Sequence, residues 1–106
     1  MARNDSLDTA DKVRLLRALA FQIRRKIPAT DAMTDVMEQE FRGGRHKLFR
    51  PASDALGESG VLAALAVLCL VGDEAAAILH VVIEANDHRM LANALEQLAD
   101  YQEASN

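Results

Sequence analysis

The chain has 106 residues and a mass of 11.6 kDa, which is the size of one small domain. Half of its residues are hydrophobic and 26% are charged, with a net charge of −4, so the composition excludes an intrinsically disordered chain. There is a single Cys, which excludes a disulfide framework. Aromatic residues make up only 4% of the chain, and this low content favours helices packed through small aliphatic side chains.

The first predicted element is an amphipathic helix over residues 9–26. Asp8 or Thr9 can cap its free N–H groups, and Pro28 ends it because the residue before a proline avoids the helical region. Its apolar side chains recur every three or four positions: Val13, Leu16, Leu19, Ala20, Ile23 and Ile27. This spacing predicts one buried face.

The second predicted helix is capped by Thr30 or Asp31 and ends at Gly43-Gly44, a pair typical of a helix C-terminus. Its apolar stripe consists of Ala32, Met33, Val36, Met37 and Phe41. Only a few residues connect it to the first helix, so the two helices are predicted to pack antiparallel.

A third helix is predicted over residues 45–56, with Pro51 either kinking it or lying in its first turn. The Gly-Glu-Ser-Gly stretch at 57–60 predicts a turn. The apolar run 61–71 is too short for a membrane span, which needs about 20 residues, and is predicted to be a fully buried helix.

The last two predicted helices cover residues 75–85 and 91–103. Asp73 can cap the first of them, and Asn86 and Asp87 form the junction between the two.

The elements together predict an all-α fold: a bundle of six short antiparallel helices, made of two three-helix halves that divide at the 57–60 turn. Residues 1–8 are predicted to be a flexible N-terminal segment, residues 9–103 the single helical domain, and residues 104–106 a tail. The side chains expected in the core include Leu65, Leu68, Ile78, Val82, Leu95 and Leu98.

No pattern typical of catalysis or cofactor binding is present. Cys69 lies inside the apolar run, where a buried and unreactive thiol is expected. His80 interrupts an aliphatic stretch and is expected either at the edge of the core or as a hydrogen-bonded core residue, and His88 is expected to be exposed. The basic stretch 42–50 lacks the phosphate-loop pattern and follows a helix rather than a strand. We therefore predict that the chain is not an enzyme and binds no cofactor.

One group of acidic residues is a candidate for metal binding. Asp73, Glu74, Glu84 and Asp87 could gather into a cluster that holds a divalent cation through oxygen ligands. Helix capping and solvation explain the same residues without a ligand, so no metal site is predicted.

The charges are divided unevenly along the chain. Residues 1–50 hold eleven Lys and Arg against seven Asp and Glu, a net charge of +4. Residues 51–106 hold only Arg89 against nine acids, a net charge of −8, and the two values give the total of −4. Electrostatically complementary protein contacts suit this division, and solvated helix faces also account for it.

Several segments resemble a known family. Residues 16–28 followed by residues 30–38 are similar to its opening, a helix with an apolar-Pro junction and a second helix. Residues 60–65 resemble its middle element without the Ser, and residues 91–103 resemble its closing helix, which commonly reads Leu-x-x-x-Leu-x-x-Leu-Ala-x-Tyr. The family is the F-type cytoplasmic domain of the inner-membrane platform protein of type II secretion and type IV pilus machines. The resemblance spans about residues 12–103.

The resemblance implies a scaffold that lies between the assembly ATPase and the pilin or pseudopilin subunits and transmits ATPase movement to the filament. It also implies a location at the cytoplasmic side of the bacterial inner membrane, with membrane contact only through segments of a parent protein outside this chain. The family's Gly-Glu-x-x-Gly turn before the last helix is replaced here by residues 85–89. Asn86 and Asp87 must therefore form that turn, and no role of the family's Glu is carried over.

Two groups of residues are predicted to contact protein partners. Flexible or bulky apolar side chains on the second helix predict a homodimer or another partner surface, with burial in the core as the alternative: Met33, Met37 and Phe41. Three consecutive cations at the end of the first helix predict a contact with an acidic protein surface, with stabilisation of the helix dipole as the alternative: Arg24, Arg25 and Lys26. The acidic surface could belong to the ATPase or to a second copy of this chain.

The leading hypothesis is a non-catalytic scaffold domain that binds proteins and no nucleic acid. The alternative is a small helical nucleic-acid-binding regulator that uses the basic first half. A pI near 5.3 argues against the alternative, because sequence-independent DNA binding depends on neutralising phosphates. Tight, salt-sensitive binding to duplex DNA would favour it.

Overall fold

The computed structural model describes residues 7–105 as six α-helices, and this part of the chain contains no strand. The all-α prediction is confirmed. The helices are α1 (Thr9–Arg24), α2 (Ala29–Arg42), α3 (His46–Ser59), α4 (Val61–Val67), α5 (Asp73–Ala85) and α6 (His88–Ser105).

Asp8 begins α1 through a capping box. Its carboxylate accepts a hydrogen bond from the Asp11 N–H at 2.8 Å, and the Asp11 carboxylate accepts one from the Asp8 N–H at 3.4 Å. Two N–H groups without helical partners are thereby satisfied. Leu7, directly before the cap, is buried in the core. The predicted flexible segment 1–8 is therefore ordered at Leu7 and Asp8, and its first six residues lie outside the described part of the chain.

Four helices are followed by a residue in the left-handed region, and three of them, α1, α2 and α4, end with the same pair of hydrogen bonds. Lys26 follows α1 at a φ of 70°, Gly44 follows α2 at 90°, and Cys69 follows α4 at 59°. After α4, the Cys69 N–H donates to the Ala66 carbonyl and the Leu70 N–H donates to the Leu65 carbonyl, both at 3.0 Å. This pair of bonds is a Schellman motif, and equivalent pairs follow α1 and α2.

The Schellman motif after α4 corrects the prediction for residues 61–71. The helix ends at Val67 instead of continuing to Val71, and the turn places Cys69 in solvent. The expectation of a buried thiol is therefore wrong, although Leu68 and Leu70 on either side of it are buried. No helix within residues 7–105 is long and apolar enough to cross a membrane.

The predicted turn at 57–60 is also wrong over most of its length. Helix α3 contains Pro51, continues through Gly57 and ends at Ser59. Gly60 alone breaks the chain, at a φ of 98° that L side chains rarely adopt. A Gly inside a helix costs only about 1 kcal/mol, so the packing of α3 on α4 can keep Gly57 helical.

The most extensive helix pair is α1 with α6, which joins the beginning of the chain to its end. The second is α3 with α4, while α2 contacts α1, α3 and α4. The predicted division into two three-helix halves is not confirmed, because the largest contact connects helices from opposite halves. One continuous core is formed, and its largest fully buried side chains are Phe49, Leu15, Leu16, Leu19, Ile23, Met33, Leu65, Leu70, Leu79 and Leu95.

Helix α5 is the least covered element. It packs mainly against α4 and α6, and it buries only Leu79 and Val82. Ile78, expected in the core, is 62% exposed, and Val81 is 66% exposed. The prediction failed at Ile78 because α5 is apolar on nearly all sides, so helical spacing could not select its buried face. The other expected core residues fare better: Leu65, Leu68, Val82 and Leu95 are buried and Leu98 is half-buried.

These positions predict a contrast in stability. Leu95→Ala should lower the free energy of unfolding by about 2–5 kcal/mol, because the removed side chain leaves a cavity in the core. Ile78→Ala should change it by about 0.5 kcal/mol or less, because that side chain already faces solvent. Urea denaturation of both variants measures the difference, and equal losses would contradict the exposed position of Ile78.

The turn after α4 gives a second prediction. Cys69→Gly should stabilise the protein by about 0.5–1 kcal/mol, because glycine adopts the left-handed conformation without the steric cost that other residues incur there. The matched control is Gly44→Ala, at the corresponding position after α2, where a Cβ would meet no atom within 4 Å. That variant should be destabilised through backbone conformation alone. Thermal unfolding of both proteins checks the opposite signs, and a destabilised Cys69→Gly would contradict the assignment.

Candidate interaction surface

The charge division of the chain is partly neutralised inside the molecule, where basic α1 lies against acidic α6. Arg17 pairs with Asp100 at 3.0 Å and with Glu103 at 2.8 Å. Arg24 pairs with Glu96 at 2.8 Å and donates a hydrogen bond to the Asn93 side chain at 3.0 Å. These ion pairs flank the largest helix contact, so the opposite charges of the two ends of the chain favour their own association.

A second ionic cluster connects α1, α2 and the loop before α3. Arg14 Nη1 lies 2.6 Å from Glu40 Oε2, and Arg14 and Arg45 each donate to the Asp11 carboxylate at 3.1 Å. The same Arg45 lies 3.5 Å from Glu40. Arg45 belongs to the basic stretch 42–50, and here it anchors the start of α3 to the first two helices.

Burial acts to raise the pKa of Asp11, but the hydrogen bonds from Arg45 and Arg14 favour its charged form more strongly. The pKa of Asp11 therefore lies below its ordinary value of 3.8. The hydrogen bond to Glu40 likewise raises the pKa of Arg14 above its ordinary value. Both groups stay charged at neutral pH, which suits an ion-pair cluster that holds the fold together and gives neither of them the properties of an acid–base catalyst.

The three predicted contact cations have different environments. Arg24 is engaged with α6, as described above. The Arg25 guanidinium lies over the ring of Phe21, with 5.5 Å between Cζ and the ring centroid, and Phe21 itself is 60% exposed. Lys26 lies beyond the end of α1 in the left-handed region. Neither Arg25 nor Lys26 forms an ion pair with a residue of the described range 7–105.

The three predicted apolar contact residues do not form an exposed patch. Met33 and Met37 are buried in the core. Phe41 is half-buried, and its ring stacks on His46 with 5.1 Å between ring centroids. For Met33 and Met37 the alternative prediction, burial in the core, therefore applies. The apolar stripe that contains them faces α1 and α3 within the monomer.

Several of the apolar side chains that face solvent lie on α5 and on the adjoining side of α6. Glu74, Ile78, Val81 and Ala85 are exposed and follow one another at helical spacing, so they form one face of α5. Between α5 and α6 lies a groove of about 160 Å³ lined by Ala75, Ile78, Leu79, Ala94, Gln97 and Leu98. Tyr101, 70% exposed, lies one turn beyond Gln97 and Leu98 on the same side of α6. We call this region the α5–α6 surface.

The charges around the α5–α6 surface are acidic. Asp73 and Glu74 lie at the start of α5 and Glu84 lies near its end, and all three are exposed. None of them forms an ion pair with another residue between positions 7 and 105. Because Arg89 is the only cation after residue 50, the α5–α6 surface combines aliphatic side chains with unneutralised negative charge.

The sequence pattern did not reveal this surface, because helical spacing placed Ile78 in the core. The sequence did contain one indication. Apolar residues surround most of the circumference of α5, and this apolar surface is wider than the neighbouring helices can bury. Which of those residues remains uncovered depends on the positions of α4 and α6, which no local pattern specifies.

No metal-binding cluster is assembled in the part of the chain that the structure describes. No three His, Cys, Asp or Glu side chains among those residues could hold a metal ion. Asp73 and Glu74 lie at one end of α5, and Glu84 and Asp87 lie at the other, several turns away. Asp87 instead caps α6, its carboxylate accepting a hydrogen bond from the Met90 N–H at 3.0 Å.

The chain matches no protein-family model, and neither a curated protein nor a solved structure shows significant similarity to it.

The ionic cluster predicts how stability depends on pH. The depressed pKa of Asp11 gives the folded state a stabilising term that is fully present above about pH 4 and is lost as pH falls through the folded pKa. Asp11→Asn should therefore lower the free energy of unfolding at neutral pH by about 1–3 kcal/mol, because it removes charged hydrogen bonds and one half of the capping box.

The difference between Asp11→Asn and the wild type should narrow as the pH is lowered below 3.8. Urea denaturation across a pH series measures it. Asp54→Asn is the control, because Asp54 is exposed and makes no ion pair with residues 7–105, so that variant should follow the wild-type curve at every pH. A constant difference for Asp11→Asn would contradict the assignment.

Proposed function

We propose that this protein is a non-catalytic protein–protein interaction domain that binds through the α5–α6 surface. The observation that carries the proposal is the exposure of Ile78 and Val81 on a chain that buries most of its other large aliphatic side chains. Contiguous exposed apolar side chains mark interaction sites, because leaving them in water costs free energy that a partner recovers. Hydrophobic side chains beside a polar rim are also the usual composition of an interface.

The resemblance to secretion and pilus platform domains supports a more specific form of the proposal. In this form the chain is a scaffold of a type II secretion or type IV pilus inner-membrane platform, at the cytoplasmic side of the membrane, and links the assembly ATPase to the filament subunits. The junction before the last helix is compatible with it: Asn86 adopts a left-handed conformation and Asp87 caps α6, so these residues make the turn that the family makes with glycines. A scaffold transmits motion through its contact faces and needs no catalytic group.

The alternative, a nucleic-acid-binding regulator, receives less support from the charges. Duplex DNA binding needs cations that are free to neutralise phosphates. Arg14, Arg17, Arg24 and Arg45 are each paired with carboxylates within the molecule. Most of the basic side chains of α1 are therefore already neutralised by the protein itself.

The scaffold proposal predicts a loss of assembly without a loss of fold. Ile78→Asp should abolish or strongly reduce secretion or pilus assembly in the bacterium that carries the gene, because a charge in the centre of the α5–α6 surface would be buried without a partner on binding. The thermal unfolding temperature should change little, since Ile78 is already exposed.

Val67→Asp is the matched control, because Val67 is an aliphatic residue on α4 that is 46% exposed and does not line the groove. It should leave assembly intact. Normal assembly in the Ile78→Asp strain would refute the scaffold proposal, and salt-sensitive binding of the purified protein to duplex DNA would support the regulator in its place.

A further inference from the structure

We propose that the occupant of the α5–α6 surface is a second copy of this chain, which inserts a basic aromatic corner formed by Phe21, Arg25 and Lys26. The inference rests on the proposed function in one respect, that the α5–α6 surface is an interaction site. It adds the identity of the partner and the mode of contact, which is head-to-tail.

The α5–α6 surface determines the chemistry of its occupant. The groove-lining side chains are almost entirely aliphatic, so the inserted group must be apolar. Asp73 and Glu74 at one end and Glu84 near the other carry negative charge that no described residue neutralises, so the flanks of the occupant must be basic. A large apolar side chain beside two cations meets both requirements.

The basic aromatic corner has this composition. Phe21 is exposed over more than half of its surface, although it is a large aromatic residue in a chain that holds few of them. Arg25 packs on its ring and thereby holds ring and guanidinium in one arrangement, which lowers the entropy lost on binding. Lys26 adds a second cation next to it, which likewise forms no ion pair with residues 7–105. Aromatic and Arg side chains are also the commonest anchors of protein interfaces.

The corner is not uniformly basic. Asp31 and Asp35 of α2 line a second groove, separate from the one between α5 and α6, and Phe21 and Arg25 line the same groove. Asp35 accepts a hydrogen bond from Gln22 at 2.9 Å, which satisfies part of its acceptor capacity within the monomer. Both carboxylates lie on the α2 side, whereas Arg25 and Lys26 lie at the end of α1. The cations can therefore point toward the acidic rim of a second copy while the α2 carboxylates remain in solvent.

A symmetric contact of two α5 helices is disfavoured. It would bring the exposed faces of two copies together and place Glu74 and Glu84 of one copy near the same acids of the other, with no cation on either helix. Like charges across an interface oppose association. When the basic aromatic corner of one copy binds the groove of another, cations of the first copy instead meet carboxylates of the second.

The two surfaces lie on different faces of the molecule, so one copy can use both. On α6, the groove is lined by Ala94 and Leu98, whereas Glu96, Asp100 and Glu103 point toward α1 and pair with its arginines. The helical spacing places these two sets on roughly opposite sides of α6. A contact between unlike surfaces of identical chains leaves one groove and one corner free, and so extends into a ring or a filament rather than stopping at a symmetric dimer.

The test is complementation between two variants, followed by sedimentation velocity at concentrations of about 10 µM to 1 mM, which cover the affinities of small interfaces. Wild-type protein should self-associate in a concentration-dependent manner. Ile78→Asp, which has no functional groove, and Phe21→Ala/Arg25→Glu, which has no functional corner, should each weaken self-association by about tenfold or more. Mixed in equal amounts, the two variants should form a dimer, because each supplies the surface that the other lacks.

Two further measurements sharpen the result. Glu74→Lys should weaken self-association, and its combination in one chain with Arg25→Glu should restore part of it, because the pair of charges is exchanged. Val67→Asp should self-associate like the wild type. Increasing the salt concentration from about 50 to 500 mM should weaken association several-fold.

A wild-type protein that stays monomeric up to 1 mM would overturn the inference, and so would variants that fail to complement each other while the wild type still dimerises, because that result indicates a symmetric contact. These results are separate from the scaffold proposal. Loss of assembly in the Ile78→Asp strain together with a monomeric wild type would leave the interaction surface in place and reject only the second copy as its occupant.

Discussion

The contact between the first and the last helix is the constraint on which the rest of the fold depends. α1 and α6 are separated by most of the chain, yet they form its most extensive pair. Both helices bury alanines completely, Ala20 on α1 and Ala92 and Ala99 on α6, and such small side chains let helix backbones approach closely. Once the two ends are joined, the four helices between them must pack within the space that this pair leaves open.

The ion pairs beside this contact account for part of the uneven distribution of charge along the chain. A basic first half and an acidic second half could each bind a partner of opposite charge. In the folded chain, however, Arg17 and Arg24 form ion pairs with carboxylates of α6. Exposed pairs of this kind stabilise a fold by about 1 kcal/mol or less each. Their larger effect is on specificity, because they favour the pairing of α1 with α6 over pairing with a helix that lacks acids.

The internal pairing also determines which charges remain for other molecules. Within residues 7–105, Arg25 and Lys26 at the end of α1 are among the cations that form no ion pair, and Asp73, Glu74 and Glu84 of α5 are among the unpaired carboxylates. The same two places hold exposed apolar side chains, Phe21 in the first and Ile78 with Val81 in the second. Apolar surface and unneutralised charge of one sign thus coincide twice, which is the basis for assigning both places to protein recognition rather than to solvent.

The sequence by itself determined several local features: the helical class, the start of α1 at Asp8 or Thr9, the end of α2 at the glycine pair and the junction at Asn86 and Asp87. These features follow from side-chain oxygens, backbone freedom and helical spacing within a few residues. Only the tertiary structure decided that α4 ends early and exposes Cys69, that α3 continues through Gly57, and that α5 presents Ile78 to solvent. Each of these outcomes depends on which distant helix covers which face, and a helix that is apolar on most sides carries no local signal to choose among its neighbours.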